Sequence, residues 1–142
     1  MPADAVVSAP HQVSYDEYRL GFPAERHSVR VVRASLRAMC SAWCVPREVA
    51  DTMLLLACEV VTNAIAVSEG EVLRFTARRV LDYLYFDCND YAPDVPAAPS
   101  MPDAEELSGR GLALVKGLSS SFGWKRLPGE QGKVCWFTLA AG

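Results

Sequence analysis

At 142 residues the chain has the length of one domain with one hydrophobic core, which argues against a pair of independently folding units. Hydrophobic residues at 51% and charged residues at 22% are too apolar a mixture for intrinsic disorder, and the apolar run Met53–Cys58 meets Glu59 well short of the roughly 20 residues that span a bilayer. The net charge of −3 lacks the basic excess of a general nucleic-acid binder, so neither nucleic acid nor membrane is expected as a partner.

The segment Met1–Val6 has no basic stretch followed by an apolar run, and the expected compartment is therefore the cytoplasm. Residues 1–12, rich in Ala and Pro without periodicity, read as a mobile tail, and residues 13–142 as a single domain. From Pro23 to about Trp43 the apolar residues Val29, Val32, Leu36, Met39, Ala42 and Trp43 recur three and four apart, which predicts an amphipathic helix. Pro46, followed by Glu48 and Asp51, opens a second helix that should run to about Val67, before Gly70.

Val72–Arg79 and Leu81–Cys88 are rich in β-branched and aromatic residues and predict a hairpin. In its second strand Leu81, Tyr83, Tyr85 and Asp87 alternate with Leu84, Phe86 and Cys88. Pro93, Pro96, Pro99 and Pro102 then exclude regular helix and central strand, and imply an extended loop of the kind that often serves as a lid. Gly109-Arg110-Gly111 leads into a third helical pattern through Leu112, Leu114, Val115 and Leu118. Phe122–Leu127 and Lys133–Leu139 predict a closing hairpin around the turn cluster 128–132. The sum is an α+β, two-layer sandwich: a largely antiparallel sheet with helices on one face.

Glu59 and Asn63 stand four apart on the second helix and share a face. A carboxylate there can orient or deprotonate a hydroxyl, and an amide oxygen one turn away can ligate Mg²⁺; spacing alone favours a plain solvated face. Asp90, at a strand end, can accept a hydrogen bond from an exocyclic amine such as that of adenine, or simply shape a turn. Gly109-x-Gly111 before a helix suits phosphate binding and also suits an ordinary connection. The five cysteines, Cys40, Cys44, Cys58, Cys88 and Cys135, lack a C-x-x-C pair and are expected to be buried thiols packing as small hydrophobes.

Taken in order, Glu59-Val60-Val61-Thr62-Asn63-Ala64, Asp90-Tyr91-Ala92-Pro93, Gly109-Arg110-Gly111-Leu112-Ala113-Leu114-Val115 and Gly132-Lys133-Val134-Cys135-Trp136-Phe137 resemble the histidine-kinase-like ATPase superfamily, the GHKL or Bergerat ATP-binding fold. Phe22-Pro23-Ala24 adds to the likeness, which lies with the small bacterial anti-sigma factor and serine-protein kinase branch. The resemblance implies ATP and Mg²⁺ as cofactors, Glu59 as general base, Asn63 as the metal ligand and Asp90 as the adenine acceptor. It also implies that Gly109 and Gly111 wrap the phosphates, with Arg110 supplying charge there and Thr138 assisting at the base.

The partners it implies are a sigma factor or a small antagonist protein phosphorylated on serine or threonine, and a homodimer is compatible with it. Two departures stand out. Ile65-Ala66-Val67-Ser68 occupies positions where the branch often carries a basic residue and a histidine, and Ala92 replaces a glycine after the adenine motif. They leave open the alternative of a non-catalytic protein-binding module with a retained or degenerate nucleotide pocket.

Overall fold

The computed structural model describes residues 15–92, 115, 117–126 and 132–141. The expected tail 1–12, the proline-rich loop, the Gly109–Gly111 segment and the start of the expected third helix lie outside the described residues. Among the described residues the elements are β1 (Tyr15–Pro23), α1 (Ser28–Ala42), α2 (Arg47–Ala66), β2 (Val72–Val80), β3 (Tyr83–Asp90), β4 (Ser121–Arg126) and β5 (Lys133–Ala140). The strands form one five-stranded sheet in the order β1-β2-β3-β5-β4, with every neighbouring pair antiparallel.

Side-chain alternation explains the two layers. Leu73, Phe75 and Ala77 of β2, Leu84, Phe86 and Cys88 of β3, and Cys135, Phe137 and Leu139 of β5 belong to one buried cluster with the helices. Phe75, Phe86 and Phe137 form a row across the three strands, with successive ring centroids 5.3 Å apart. Burial of each such ring contributes about 1.5–3 kcal/mol. Helix α1 supplies Val32, Leu36, Met39 and Cys40, and α2 supplies Met53, Leu56, Ala57, Val60, Val61 and Ala64. Although α2 is long and apolar enough to cross a bilayer, much of it is buried in this core.

Sequence periodicity assigns residues 15–22 no element and opens the first helix at Pro23. Tyr18, Leu20 and Phe22 alternate with Glu17, Arg19 and Gly21, and this segment is strand β1, paired with β2 from Tyr15↔Val80 to Pro23↔Val72. Pro23 ends this edge strand instead of opening α1, as an edge position allows. Helix α1 begins at Ser28, whose buried hydroxyl donates to the Pro23 carbonyl at 2.7 Å. The β2–β3 turn falls at Leu81 and Asp82, so Leu81, with φ 56°, is in the turn and not in the strand.

Candidate functional site

Asp90 is the last residue of β3 and continues the alternation Leu84, Phe86, Cys88, so its side chain belongs to the helix-covered face of the sheet. It is buried, and its Oδ1 accepts two hydrogen bonds, one from the Ala92 N–H at 2.9 Å and one from Lys133 Nζ at 2.9 Å. Lys133 is the first residue of β5 and lies directly across the ladder from Asp90. Gly132 precedes it with φ 102°, a left-handed conformation that favours glycine. Any Cβ at Gly132 would collide with the Asp90 carbonyl oxygen.

The end of α2 is fastened to the same place. Ser68, buried just beyond the helix, accepts a hydrogen bond at its Oγ from the Tyr91 N–H at 2.9 Å. Glu59 and Asn63 are both half-buried, a little over one turn apart, about 6 Å along the axis. Their helix therefore terminates against the strand end that carries Asp90. Next to it, Asn89 Oδ1 accepts the Arg74 N–H at 2.7 Å, so a side chain bridges β2 and β3 immediately beyond their last paired residues.

The fold thus fastens the helix that bears Glu59 and Asn63 to the strand end that bears Asp90. It does not bring Thr138 there. Thr138 alternates with Phe137 and Leu139 and pairs with Tyr85, which places it on the opposite face, where its Oγ1 meets Ser121 Oγ at 2.6 Å. The assisting role expected of Thr138 is not supported by this placement, because a strand presents successive side chains to opposite faces. Gly109, Arg110 and Gly111 lie outside the described residues. Lys133 was given no role by sequence reading, although a lysine in phase with Cys135, Phe137 and Leu139 is a charge on the apolar face and could have signalled a buried partner.

The buried surroundings set the local chemistry. Desolvation, reinforced by the Asp90 charge, pushes the Cys135 thiol up to about 12, and burial, followed by neighbouring Cys135 and Asp90, holds Cys88 well above the ordinary thiol range. Both are neutral packing groups near neutral pH, which suits the expectation for them; Cys44 differs, being exposed just past the end of α1 with φ 55°. Among the described residues no group of three or more His, Cys, Asp or Glu could hold a metal. The amide oxygen of Asn63, half-buried on α2, is a donor of the type accepted by a cation such as Mg²⁺ that keeps several waters. A cavity of about 370 Å³ lies at the other end of the sheet, lined by Asp16, Cys44, Pro46, Arg79, Leu81 and Asp82 among others, and contains none of Glu59, Asn63 and Asp90.

Residues 22–139 match the sequence model of the histidine kinase-like ATPase domain. The chain belongs to the histidine kinase-like ATPase family. This family's architecture is an ATP-binding one. No curated protein matches the sequence significantly.

Among solved structures, the ATPase domain is similar to the RsbU and RsbW domains of Rv1364c from Mycobacterium tuberculosis, with a TM-score of 0.65 and 17% identity. That match covers 88% of this chain and 32% of the other, so the chain spans about a third of the mycobacterial structure's length. It is also similar to a chain of the SiaB-SiaC complex from Pseudomonas aeruginosa, with a TM-score of 0.64, 12% identity and 98% of each chain covered. At these identities the likeness concerns the fold: a five-stranded antiparallel sheet with helices packed on one face.

Proposed function

We propose that this ATPase-family domain is a cytoplasmic regulatory protein that binds Mg²⁺-ATP and acts on a small antagonist protein, transferring the γ-phosphoryl group to a serine or threonine and thereby controlling sequestration of a sigma factor or similar partner. The observation that carries the reading is the joining of α2 to the end of β3. It associates the helix bearing Glu59 and Asn63 with the strand end bearing the buried Asp90. The family match and the resemblance of the motifs to the anti-sigma factor kinase branch support it.

In this reading the Asp90 carboxylate accepts the adenine amine, and the Asn63 amide oxygen is a ligand for Mg²⁺, which supplies charge neutralisation at the phosphates. Glu59 orients the acceptor hydroxyl and takes its proton. Gly109, Arg110 and Gly111 are assigned to the phosphates on the strength of their motif alone.

The test mixes the protein with Mg²⁺ and labelled ATP, with and without a candidate antagonist captured from the native cell. Label should reach the antagonist, and Glu59→Gln should lower transfer by roughly 10²–10⁴-fold while ATP binding survives. Asn63→Ala should abolish the magnesium-dependent part of ATP affinity. ATP and partner binding without transfer in the wild type would instead establish the non-catalytic binding module, and no ATP binding at millimolar nucleotide would overturn the assignment of the site.

A further inference from the structure

The Asp90–Lys133 pair is more enclosed than the other described ion pairs: the two side chains are 8% and 10% exposed. Charges taken out of water this far are costly unless their geometry is good, and here the fold builds the geometry. Lys133 is the cross-strand partner of Asp90. Gly132, with no room for a Cβ, lets the start of β5 press against the Asp90 backbone. A carboxylate has two oxygens, and both bonds described for this one end on Oδ1. Lysine has three donor protons and no acceptor, so it offers nothing to an incoming amine; the carboxylate does.

We propose that Lys133 is a positioning residue for base recognition: together with the Ala92 N–H it holds Asp90 by Oδ1, turning Oδ2 into the acceptor for one exocyclic amine, so that the site selects a 6-aminopurine over a purine without that amine. The inference rests on the nucleotide reading above and assigns to Lys133 a part in its selectivity. Lys133 acts through Asp90 and touches no reacting atom. Its removal frees the carboxylate to rotate, and the amine loses its fixed acceptor.

The experiment compares the affinities of ATP and purine riboside triphosphate, which differ only in the 6-amino group, by calorimetry on the wild type, Lys133→Met, Asp90→Asn and the double variant. Wild-type protein should prefer ATP by about 10-fold or more, as expected for a hydrogen bond to a charged group. Lys133→Met should bring the ratio close to one through loss of ATP affinity, with purine riboside triphosphate bound within about 2-fold of wild type. A change in packing alone would weaken both nucleotides together and leave the ratio unchanged.

Because Lys133→Met leaves Asp90 buried without its cation, the double variant, which removes both charges, serves as the folded comparator. Its ratio should equal that of Asp90→Asn, since a residue acting only through Asp90 has no further effect once the carboxylate is gone. A wild-type ratio in Lys133→Met, tighter ATP binding by that variant, or a difference between Asp90→Asn and the double variant would overturn the inference while leaving the nucleotide reading intact. Wild-type protein that binds neither triphosphate would overturn the nucleotide reading and the inference with it.

Discussion

Two carboxylate–cation pairs stand at opposite ends of the sheet, built from similar charges in different surroundings. At the end of β3, Asp90 and Lys133 are 8% and 10% exposed and 2.9 Å apart. By the β2–β3 turn, Asp16 and Arg79 are 42% and 35% exposed and 2.6 Å apart. Arg79 also donates to the Trp43 carbonyl and lies over the Trp43 ring at 5.9 Å, so it ties β1 and β2 to the end of α1.

The shorter contact is not the more consequential one. Water solvates both partners of the Asp16–Arg79 pair and screens them, so breaking it leaves each charge hydrated. The other pair is withdrawn from water, and loss of either partner strands a charge in a low-dielectric layer. An enclosed, directional carboxylate is what selective recognition of a ligand donor needs, whereas a solvated pair serves as a surface clamp.

The contrast should be largest in stability. Lys133→Ala is expected to lower unfolding free energy by about 3–5 kcal/mol in urea titrations, the range for removing one partner of a buried pair. A loss below about 1 kcal/mol would mean that water reaches Asp90 and that the two ends are alike.

Alkaline pH probes the enclosed end a second way. An unfolded thiol loses its proton near ~8.5, whereas Cys135 in the folded protein holds its proton up to about 12. Between these values the folded state binds more protons than the unfolded state, so stability is fully present below the lower value and falls as pH rises through the window. The decline from this thiol is about 1.4 kcal/mol per pH unit. Cys135→Ala should remove that part of the slope in urea midpoints measured across the window, and an unchanged slope would show that Cys135 is not held neutral.

The open end should respond weakly. Asp16→Asn is expected to cost only about 0.2–1 kcal/mol at low salt, and the difference from wild type should shrink at about 0.5 M salt, where the screening length is a few ångströms. A cost like that of Lys133→Ala would place the structural keystone at the wrong end.

The smallest effect is chemical. A brief pulse of a neutral maleimide on the native protein should modify Cys44, at the open end, with no measurable change in melting temperature, while Cys40, Cys58, Cys88 and Cys135 react only after denaturation. Rapid native labelling of Cys88 or Cys135, read by mass spectrometry, would contradict the enclosure of the Asp90 end.

Much of this architecture was legible in the residues themselves. The helical period of Val32, Leu36 and Met39, the break at Pro46 and the alternation through Leu84, Phe86 and Cys88 are local consequences of side chains that must face one core, and the observed α1, α2 and β3 follow them. The order of Glu59, Asn63 and Asp90, with the glycine-bearing motifs after them, pointed to the histidine kinase-like ATPase family that the sequence match shows. Strand β1 carried a readable alternation at Tyr18, Leu20 and Phe22, but its pairing with β2 joins residues about fifty or more positions apart, and no local period specifies that.

What only the tertiary structure decided is which polar groups meet. Asp90 and Lys133 are separated by 43 positions, and their contact depends on the β3–β5 register and on a glycine at 132 that no side chain could replace without collision. Thr138, close to that motif in sequence, ends on the other face because one residue of phase in a strand reverses the side chain's direction. Periodicity belongs to the chain and can be read along it, but register and burial arise only when distant strands share hydrogen bonds and exclude water between them.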